Sequence, residues 1–560
     1  MRIFSKIVFI CLLSATLLLS ASKDPARAKN GMVVSASSIA SEVGVAIMKK
    51  GGNAIDAAVA VGFALAVTHP SAGNLGGGGF MVIHLKDGKN TTIDYREKAP
   101  SATHKDIYLN SSGEFDPKLS TEGWTSSGVP GSVAGLLYAL EKYGTLPLRD
   151  VIQPTIDLAQ NGFEISYRMA ISFAAVHSEF VKYASSKKVF TKDGGKYEVG
   201  DALIQRDLAL TLKLIRDRGR DGFYSGRVAD LIVQQSKKNG GYLTHKDLEN
   251  YSPVERVPIN GSYRGYDIIS MGPPSSGGVA IVQTLNALEN FTFEKNDWGS
   301  SYYIHTVSEI LKHTYADRSK YLGDEDFYPV PKGWLTSKEY GREIASTIKS
   351  TAIPSKEISP GIMNSNESTE TTHYSIVDSY GNAVSATTTI NSNYGNKIVV
   401  DGAGFIMNNE MDDFSAKPGT PNQFGLLGGE ANSIQSGKRM LSAMTPTILL
   451  KDDKPFLVIG SPGGSTIITV VLQVIINVVD FKMDIQEAID QPRFHHQWFP
   501  ERIDFERFCI SRDVRDILIE KGQLMGTEVV LGRAEGIIIN ENGIKLGATD
   551  PRGFGGAAGY

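Results

Sequence analysis

Apolar residues recur along the 560-residue chain with two different periods. Alternation typical of strands predicts β-structure near the N-terminus, around the middle and after residue 371: 32–35, 80–85, 91–95, a pair within 263–271, 371–378, 383–390 and 456–459. Longer runs with helical spacing predict helices mainly between these regions: 39–49, 54–68, 133–142, 148–161, 202–217, 228–238, 277–288, 302–322 and 467–479. This order indicates one layered α/β body and not a string of separate domains.

Local signals show where some of these elements begin and end. Asn53 precedes the Ala- and Val-rich run 54–68, which predicts a capped helix that is buried on several sides. A glycine run at 76–79 leads into a hairpin, and the second strand of that hairpin ends at Arg96. The sequence therefore places Arg96 at the end of a predicted strand.

The two predicted strands on either side of Tyr380 have the composition of a hairpin. A turn centred there pairs Thr371 with Thr389, and directly opposed side chains share a face of the sheet. The strand period of two places Asn391 on that face as well. Two hydroxyls and an amide are thus predicted to gather around one point, in a register that depends on the turn type.

The segment before this hairpin, 364–370, is polar and contains no core-forming residue. A hydroxyl that follows such a segment can attack the preceding carbonyl, and the break would give Thr371 a free α-amine. That amine has a reference pKa of about 7.7–8.0, so it can act as the base for the threonine's own hydroxyl. The ordinary alternative is that paired threonines merely suit the pleat of a strand.

Composition excludes several classes of function. The net charge is −4, with 41% hydrophobic and 21% charged residues and no basic stripe, so nothing indicates a nucleic-acid partner. The glycine run lacks the lysine and hydroxyl residue of a phosphate-binding loop. His495 and His496 are adjacent but have no metal-ligand spacing around them, so we expect no metal and no cofactor.

The N-terminus has the features of a cleavable signal peptide over residues 1–22. Arg2 and Lys6 precede an apolar run at 7–19, and small residues follow before the first charged pair. An uncleaved anchor is the alternative, but the run is short for a membrane span. We therefore expect a periplasmic or secreted protein without a stable membrane anchor, in which Cys509 has no disulfide partner.

Eight motifs occur in the order found in one known family: Gly51-Gly52-Asn53-Ala54-Ile55-Asp56-Ala57-Ala58, Asp94-Tyr95-Arg96-Glu97, Val129-Pro130-Gly131, Pro273-Pro274-Ser275-Ser276-Gly277-Gly278, Tyr315-Ala316-Asp317-Arg318, Thr371-Thr372-His373-Tyr374-Ser375, Asn408-Asn409-Glu410-Met411-Asp412-Asp413-Phe414 and Gly460-Ser461-Pro462-Gly463-Gly464-Ser465. With these motifs the chain resembles the bacterial γ-glutamyltransferases (γ-glutamyltranspeptidases), members of the N-terminal nucleophile hydrolases. The resemblance covers nearly the whole mature chain.

The resemblance implies a fold and a reaction. The fold is a four-layer αββα sandwich, an α/β (α+β) architecture built from one self-cleaved precursor. The cut falls between Glu370 and Thr371 and gives a large subunit, 23–370, and a small subunit, 371–560. Thr371 would attack the γ-carbonyl of glutathione or a related γ-glutamyl compound, and the acyl group would pass to water or to an amino acid or dipeptide.

The resemblance also implies residue roles. The catalytic residues would be Thr371, Thr389, Gly463 and Gly464. The substrate-binding residues would be Arg96, Asn391, Glu410, Asp413 and Ser442. Glycine lets the backbone N–H groups approach an oxyanion closely. An arginine fork suits the donor's α-carboxylate, with the Ser442 hydroxyl assisting, whereas the carboxylates and the Asn391 amide would receive its ammonium.

The chain departs from the family pattern around the donor pocket. Ala443 stands where the family usually has a second serine before Met444, and we expect the loss of this hydroxyl partner of the donor's carboxylate to cost about 1–2 kcal/mol. Met440 stands where a proline is common. Phe424 takes the place of the usual tyrosine in a segment, 418–429, that resembles a lid over the pocket. These changes keep two other functions open.

One alternative is a related acylase of the glutaryl, cephalosporin or poly-γ-glutamate type. Arg96 and Asp413 favour a donor with a free amino-acid head group over such substrates. The other alternative is an uncleaved, inactive relative that acts as a binding protein. Self-cleavage before Thr371 separates this possibility from both enzymes.

Overall fold

The computed structural model describes residues 22–359, 371–417 and 429–560. Two seven-stranded antiparallel sheets form its centre. Sheet A contains, from edge to edge, β1 (Ala26–Ala28), β18 (Lys545–Thr549), β17 (Glu535–Ile539), β13 (Lys454–Gly460), β12 (Thr447–Lys451), β9 (Tyr266–Ser270) and β8 (Ile259–Tyr263). Sheet B contains β19 (Gly556–Gly559), β2 (Met32–Ser35), β10 (Thr372–Val377), β11 (Ala383–Thr389), β3 (Gly78–His84), β4 (Asn90–Asp94) and β7 (Val254–Arg256). Smaller ladders join β14 (Phe494–His495), β15 (Ile503–Phe505) and β16 (Met525–Glu528), and β5 (Phe163–Glu164) with β6 (Ala202–Leu203).

Helices pack on the outer face of each sheet. Residues of sheet A share one hydrophobic core with these helices: Gly277–Leu288, Ser301–Tyr321, Lys332–Leu335, Lys338–Thr347, Thr466–Val479, Ile485–Asp490 and Arg512–Glu520. Residues of sheet B share a second core with another set: Ser38–Lys49, Ala54–Thr68, Ser132–Tyr143, Leu148–Asn161, Arg206–Arg218, Asp221–Tyr224, Gly226–Lys238 and His245–Glu249. The remaining helices are short: Pro117–Thr121, Tyr167–Ala175, His177–Phe180 and Ala184–Phe190.

The inner faces of the two sheets lie against each other. The Ser385 hydroxyl on β11 donates to the Ile459 carbonyl on β13 at 3.0 Å, and that of Ser375 on β10 donates to the Glu535 carbonyl on β17 at 3.0 Å. Helix, sheet, sheet and helix thus follow one another through the molecule. The four-layer αββα sandwich is confirmed.

The helix Ala54–Thr68 shows the capping and the burial that its sequence predicts. Asn53 caps the helix Ala54–Thr68 through a capping box with Asp56, and every residue of that helix is buried. The predicted helix over 202–217 is wrong at its start. Leu203 pairs with Phe163 in a short ladder, and the helix begins only at Arg206.

The predicted hairpin register is confirmed. Thr372 on β10 lies opposite Thr388 on β11, in the register that a turn near Tyr380 predicts. Strand β10 is central in sheet B, between β2 and β11, so it is covered on both edges.

Residues 1–21 of the predicted signal peptide lie outside the described part of the chain. Within that part, no helix has both the length and the apolar character needed to cross a membrane.

Candidate active site

Thr371 stands at the entrance to the central strand of sheet B. It precedes β10 by one residue and is 5% exposed. Thr389 is the last residue of β11, and the common register extends from the Thr372–Thr388 pair to these two threonines. The structure therefore brings the predicted nucleophile and its predicted partner to adjacent strand ends. Glu370, the other residue of the expected cleavage site, lies outside the described residues.

Asn391 reaches the site by a different route from the one that the strand period predicts. Strand β11 ends at Thr389, and Asn391 adopts a left-handed conformation with φ +71°. Its backbone N–H donates to the Thr389 hydroxyl oxygen at 2.8 Å, and its Nδ2 donates to the Asn409 carbonyl at 2.9 Å. Because Thr389 accepts this bond, its own hydroxyl hydrogen remains to be donated elsewhere.

His373 lies two residues after Thr371 but is unsuited to act as a base. Its Nδ1 is 2.9 Å from the Thr387 hydroxyl, and its Nε2 is 3.0 Å from that of Ser375. Complete burial lowers the pKa of the imidazole to about 3, so the ring is neutral. The ring fills the space beside Gly460, where an added Cβ would come within 2.3 Å of it. His373 is therefore a packing residue between the sheets.

Gly463 and Gly464 form the turn between β13 and the helix Thr466–Val479. Their φ angles are +140° and +55°, and their carbonyls accept from the N–H groups of Thr466 (3.0 Å) and Ile467 (3.2 Å). Neither glycine N–H donates to another described residue. Both lie at the positive end of the helix dipole. The turn thus offers two N–H donors to an anion.

Arg96 lies in a buried cluster with three carboxyl groups. Its guanidinium contacts Glu410 and Asp413 directly, and the Glu97 carboxylate is 3.6 Å away. The same guanidinium donates at 3.3 Å to the backbone carbonyls of Met440 and Leu441. Sequence reasoning assigned Arg96 and the two carboxylates to opposite charges of a ligand. In the structure Arg96 contacts both of these carboxylates.

The carboxyl groups of this cluster hold protons more tightly than usual. Burial raises the pKa of Glu97 to about 7, against the opposing effect of Arg96. Burial also raises the pKa of Glu410 well above its usual range and that of Asp413 in the same direction. The Arg96 guanidinium therefore faces more carboxyl groups than it can neutralise alone. Such a site is suited to a ligand that brings both an ammonium and a carboxylate.

Ser442 is held in place by the glycine- and serine-rich motif around Ser276. Its N–H donates to the Pro274 carbonyl at 2.9 Å, and its carbonyl accepts from the Ser276 hydroxyl at 2.7 Å. Arg318 in turn donates to that hydroxyl at 2.9 Å. The Ser442 hydroxyl oxygen accepts from the Met444 N–H at 3.1 Å. Two motifs that sequence reasoning left without a role thus position the Ser442 segment.

A small cleft at Thr371 contains two residues that sequence reasoning missed. Arg533 and Glu535 line it together with His69 and Pro462. Glu535 is buried, and that burial raises the pKa of its carboxyl well above the usual range. The only sequence signal was a glutamate at the start of the apolar run 535–539.

Among the described residues, no group of three or more His, Cys, Asp or Glu side chains could hold a metal ion. Cys509 is buried, which raises the pKa of its thiol to about 12, so it remains a protonated thiol at neutral pH.

Comparisons with known proteins agree with this geometry. A family model described as Gamma-glutamyltranspeptidase matches residues 40–560. The glutathione hydrolase proenzyme of Escherichia coli (strain K12) is 49% identical over 94% of this chain and 91% of its own length. The solved Helicobacter pylori gamma-glutamyltranspeptidase is 50% identical, covers 58% of this chain and 93% of its own, and has a TM-score of 0.57. A cephalosporin acylase from Bacillus halodurans covers 98% of both chains with a TM-score of 0.84 but is only 28% identical. The chain therefore belongs to the gamma-glutamyltranspeptidase family, as an enzyme whose similar relatives include glutathione hydrolases.

Proposed function

We propose that this protein is a self-processing γ-glutamyltransferase that cleaves glutathione and related compounds through a γ-glutamyl–Thr371 ester. Two observations support the proposal: the register of β10 and β11 brings Thr371 and Thr389 to adjacent strand ends, and Thr371 shares a cleft with Pro462, which directly precedes the Gly463-Gly464 turn. A hydroxyl, a partner that orients it and a pair of N–H donors are the parts that acyl transfer needs.

The first step is the cut between Glu370 and Thr371. The Thr371 Oγ attacks the Glu370 carbonyl, the amide C–N bond breaks, and the hydroxyl proton passes to the released nitrogen. Water then hydrolyses the resulting ester and leaves Thr371 with a free α-amine. The large subunit would comprise 23–370 and the small subunit 371–560.

The two subunits would stay together without a covalent link. Sheet B combines β2, β3, β4 and β7 from the large subunit with β10, β11 and β19 from the small one. Sheet A likewise combines β1, β8 and β9 with four strands of the small subunit. Breaking the chain at one point leaves these ladders and both cores in place. We therefore expect a tight heterodimer after cleavage.

In the mature enzyme the α-amine of Thr371 serves as the base. A neutral, buried His373 has no free ring nitrogen for this role, since both nitrogens are engaged by hydroxyls. The amine takes the Thr371 hydroxyl proton as Oγ attacks the γ-carbonyl, and Thr389 orients the nucleophile. The N–H groups of Gly463 and Gly464 stabilise the oxyanion. Water or the amine of an amino acid or dipeptide then resolves the acyl-enzyme.

Donor recognition uses the excess of carboxyl groups around Arg96. The donor's ammonium attracts Glu410 and Asp413, with the Asn391 amide nearby. Its α-carboxylate accepts hydrogen bonds from the Arg96 guanidinium and from the Ser442 hydroxyl. Substrate binding would thus replace ion pairs within the protein by ion pairs between the protein and the substrate. Ala443 contributes a methyl group where a second hydroxyl would add a bond.

Export is part of the proposal. Residues 1–22 would direct the precursor out of the cytoplasm and be removed, which places the enzyme in the periplasm or the medium. No nucleic-acid partner and no stable membrane anchor are expected.

The experiment compares the wild-type chain with Thr371→Ala and Thr371→Ser. Wild type should give two bands on a denaturing gel, with threonine at the N-terminus of the smaller one. Thr371→Ala should remain a single band, and Thr371→Ser should be cleaved because serine supplies the same group. A single wild-type band would support the inactive binding protein instead.

The acylase alternative is tested on the mature enzyme. Its support is the acylase with a TM-score of 0.84. The γ-glutamyl and glutaryl p-nitroanilides differ only in the ammonium group. Preferential hydrolysis of the γ-glutamyl compound supports the proposal, and equal turnover of the two would refute the assigned donor pocket.

A further inference from the structure

Ser465, the residue that directly follows the Gly463-Gly464 turn, is buried and held from two sides. The Tyr315 hydroxyl donates to its backbone carbonyl at 2.5 Å. Its own hydroxyl donates to the Gln497 side-chain oxygen at 2.6 Å. Ser465 is also the residue from which the helix Thr466–Val479 starts. The geometry of the glycine turn therefore depends on where these two hydrogen bonds place Ser465.

The Gln497 amide has a defined orientation in this contact. Its nitrogen donates to the Phe499 carbonyl at 3.1 Å, so its oxygen is the atom that faces Ser465. His495 Nε2 lies 2.8 Å from the same oxygen and donates to it, because an amide oxygen can only accept. Burial lowers the pKa of His495, which keeps the ring neutral with one N–H to donate. His495 thus orients the amide that supports Ser465.

Tyr315 is held in place by its own surroundings. It is buried, and its ring lies edge-on to that of His495 with 5.8 Å between the ring centres. It belongs to the helix Ser301–Tyr321, in which Arg318 follows one turn later. Arg318 supports the Ser442 segment through a serine hydroxyl, as described above. One part of this helix therefore supports both the glycine turn and the Ser442 segment.

We propose that Tyr315 and Gln497 are positioning residues for the oxyanion site, and that they act through Ser465 on the N–H groups of the Gly463-Gly464 turn. The inference rests on the proposed function, because acyl transfer at Thr371 is what places an oxyanion at this turn. A backbone N–H stabilises the developing charge best when it is already aimed at the oxyanion before the reaction begins. Because Tyr315 belongs to the large subunit and Ser465 to the small one, the oxyanion site would need both subunits.

The effect of this support falls on the chemical steps and not on substrate binding. Removal of one oxyanion donor lowers kcat about 100- to 1,000-fold, so a donor that is kept but misaligned should cost less. Formation and breakdown of the acyl-enzyme both pass through an oxyanion at the same place, so kcat should fall whichever step is slower. The charged groups of the donor bind at the Arg96 cluster instead, so KM should change little.

The test compares Tyr315→Phe with Tyr303→Phe in the hydrolysis of γ-glutamyl p-nitroanilide, with rates referred to the amount of small subunit. Tyr303 is a matched control, because it is a buried tyrosine on the same helix whose ring packs edge-on against Phe481 and Phe494. Tyr315→Phe should lower kcat about 10-fold and change KM less than about 2-fold. Tyr303→Phe should change neither constant.

A boronic acid analogue of the γ-glutamyl group separates positioning from a general structural defect. Its boron accepts the Thr371 Oγ and forms a tetrahedral anion that resembles the transition state. The inhibition constant of this analogue should rise in Tyr315→Phe by about the factor by which kcat falls. A structural defect would instead raise KM and lower the midpoint of thermal unfolding. An unchanged kcat, or a fall in kcat that the inhibition constant does not follow, overturns the inference.

Ser465→Ala gives a second measurement, because it removes only the hydroxyl that donates to Gln497. It should show the same pattern with a smaller fall in kcat, about 3-fold. An unchanged kcat in this variant would overturn the role assigned to Gln497. If neither Tyr315→Phe nor Ser465→Ala yields a small subunit, these residues serve the fold as a whole and the inference is overturned. Failure of the wild type to cleave itself or to hydrolyse the donor would instead overturn the proposed function.

Discussion

The most informative perturbation is the removal of the buried cation at Arg96. Its side chain is 1% exposed and is surrounded by Glu97, Glu410 and Asp413. Arg96→Gln keeps a polar side chain but removes the guanidinium that contacts the three carboxyl groups. Arg96→Lys keeps the charge at a single point and loses the fork.

The size of the effect follows from these contacts. Breaking a buried ion pair by removing one partner costs about 3–5 kcal/mol of stability. The cost should be greater at pH 8 than at pH 5, because at low pH the orphaned carboxyl groups take up protons. For the donor, loss of a hydrogen bond to a charged group costs about 1.5–3 kcal/mol, which corresponds to a fall in kcat/KM of about 10- to 150-fold.

The assay combines urea unfolding at pH 5 and pH 8 with hydrolysis of γ-glutamyl p-nitroanilide by whichever variant is cleaved. We expect both stability and kcat/KM to decrease from wild type to Arg96→Lys to Arg96→Gln. Wild-type kcat/KM in Arg96→Gln would refute the assignment of Arg96 to the donor. A stability loss that does not depend on pH would refute the reasoning that the orphaned carboxyl groups take up protons at low pH.

Three further predictions follow from single contacts. Thr389→Val removes the acceptor of the buried Asn391 N–H, so it should lower the free energy of unfolding in urea by about 1–3 kcal/mol and also lower kcat. Thr389→Ser keeps the hydroxyl and should preserve both. A fully active valine variant would contradict the orienting role of Thr389. Glu97 has a native pKa of about 7 against an ordinary 4.5, so the native state binds the proton more tightly and wild-type stability should fall as pH rises through that window. Glu97→Gln should remove this loss, up to about 3 kcal/mol at about 1.4 kcal/mol per pH unit, and an unchanged slope between pH 5 and 8 would show that another group is responsible. Ala443→Ser should lower the KM for γ-glutamyl and glutaryl anilides alike, about 5- to 30-fold, because both substrates carry the carboxylate. An unchanged KM would mean that the new hydroxyl does not reach this carboxylate.

Much of the site could be predicted because its signals are local. A turn near Tyr380 fixes the register of β10 and β11, since each residue has one opposed partner once the turn is set. The chemistry of an N-terminal threonine likewise follows from one hydroxyl and the polar segment before it. Asn391 shows the limit of such reasoning, because its left-handed conformation ends the strand period that was used to place it.

The sequence by itself predicted the threonine pair, the glycine turn, the charged residues of the proposed donor site and, through the ordered motifs, the family and its αββα layers. Only the tertiary structure decided that Arg96, Glu410 and Asp413 bind one another, and that Arg533 and Glu535 lie at Thr371. The physical reason is the range of the interactions. Strand register and capping act between near neighbours in the chain, whereas these clusters join residues more than 150 positions apart, and their protonation depends on burial that the assembled sheets create.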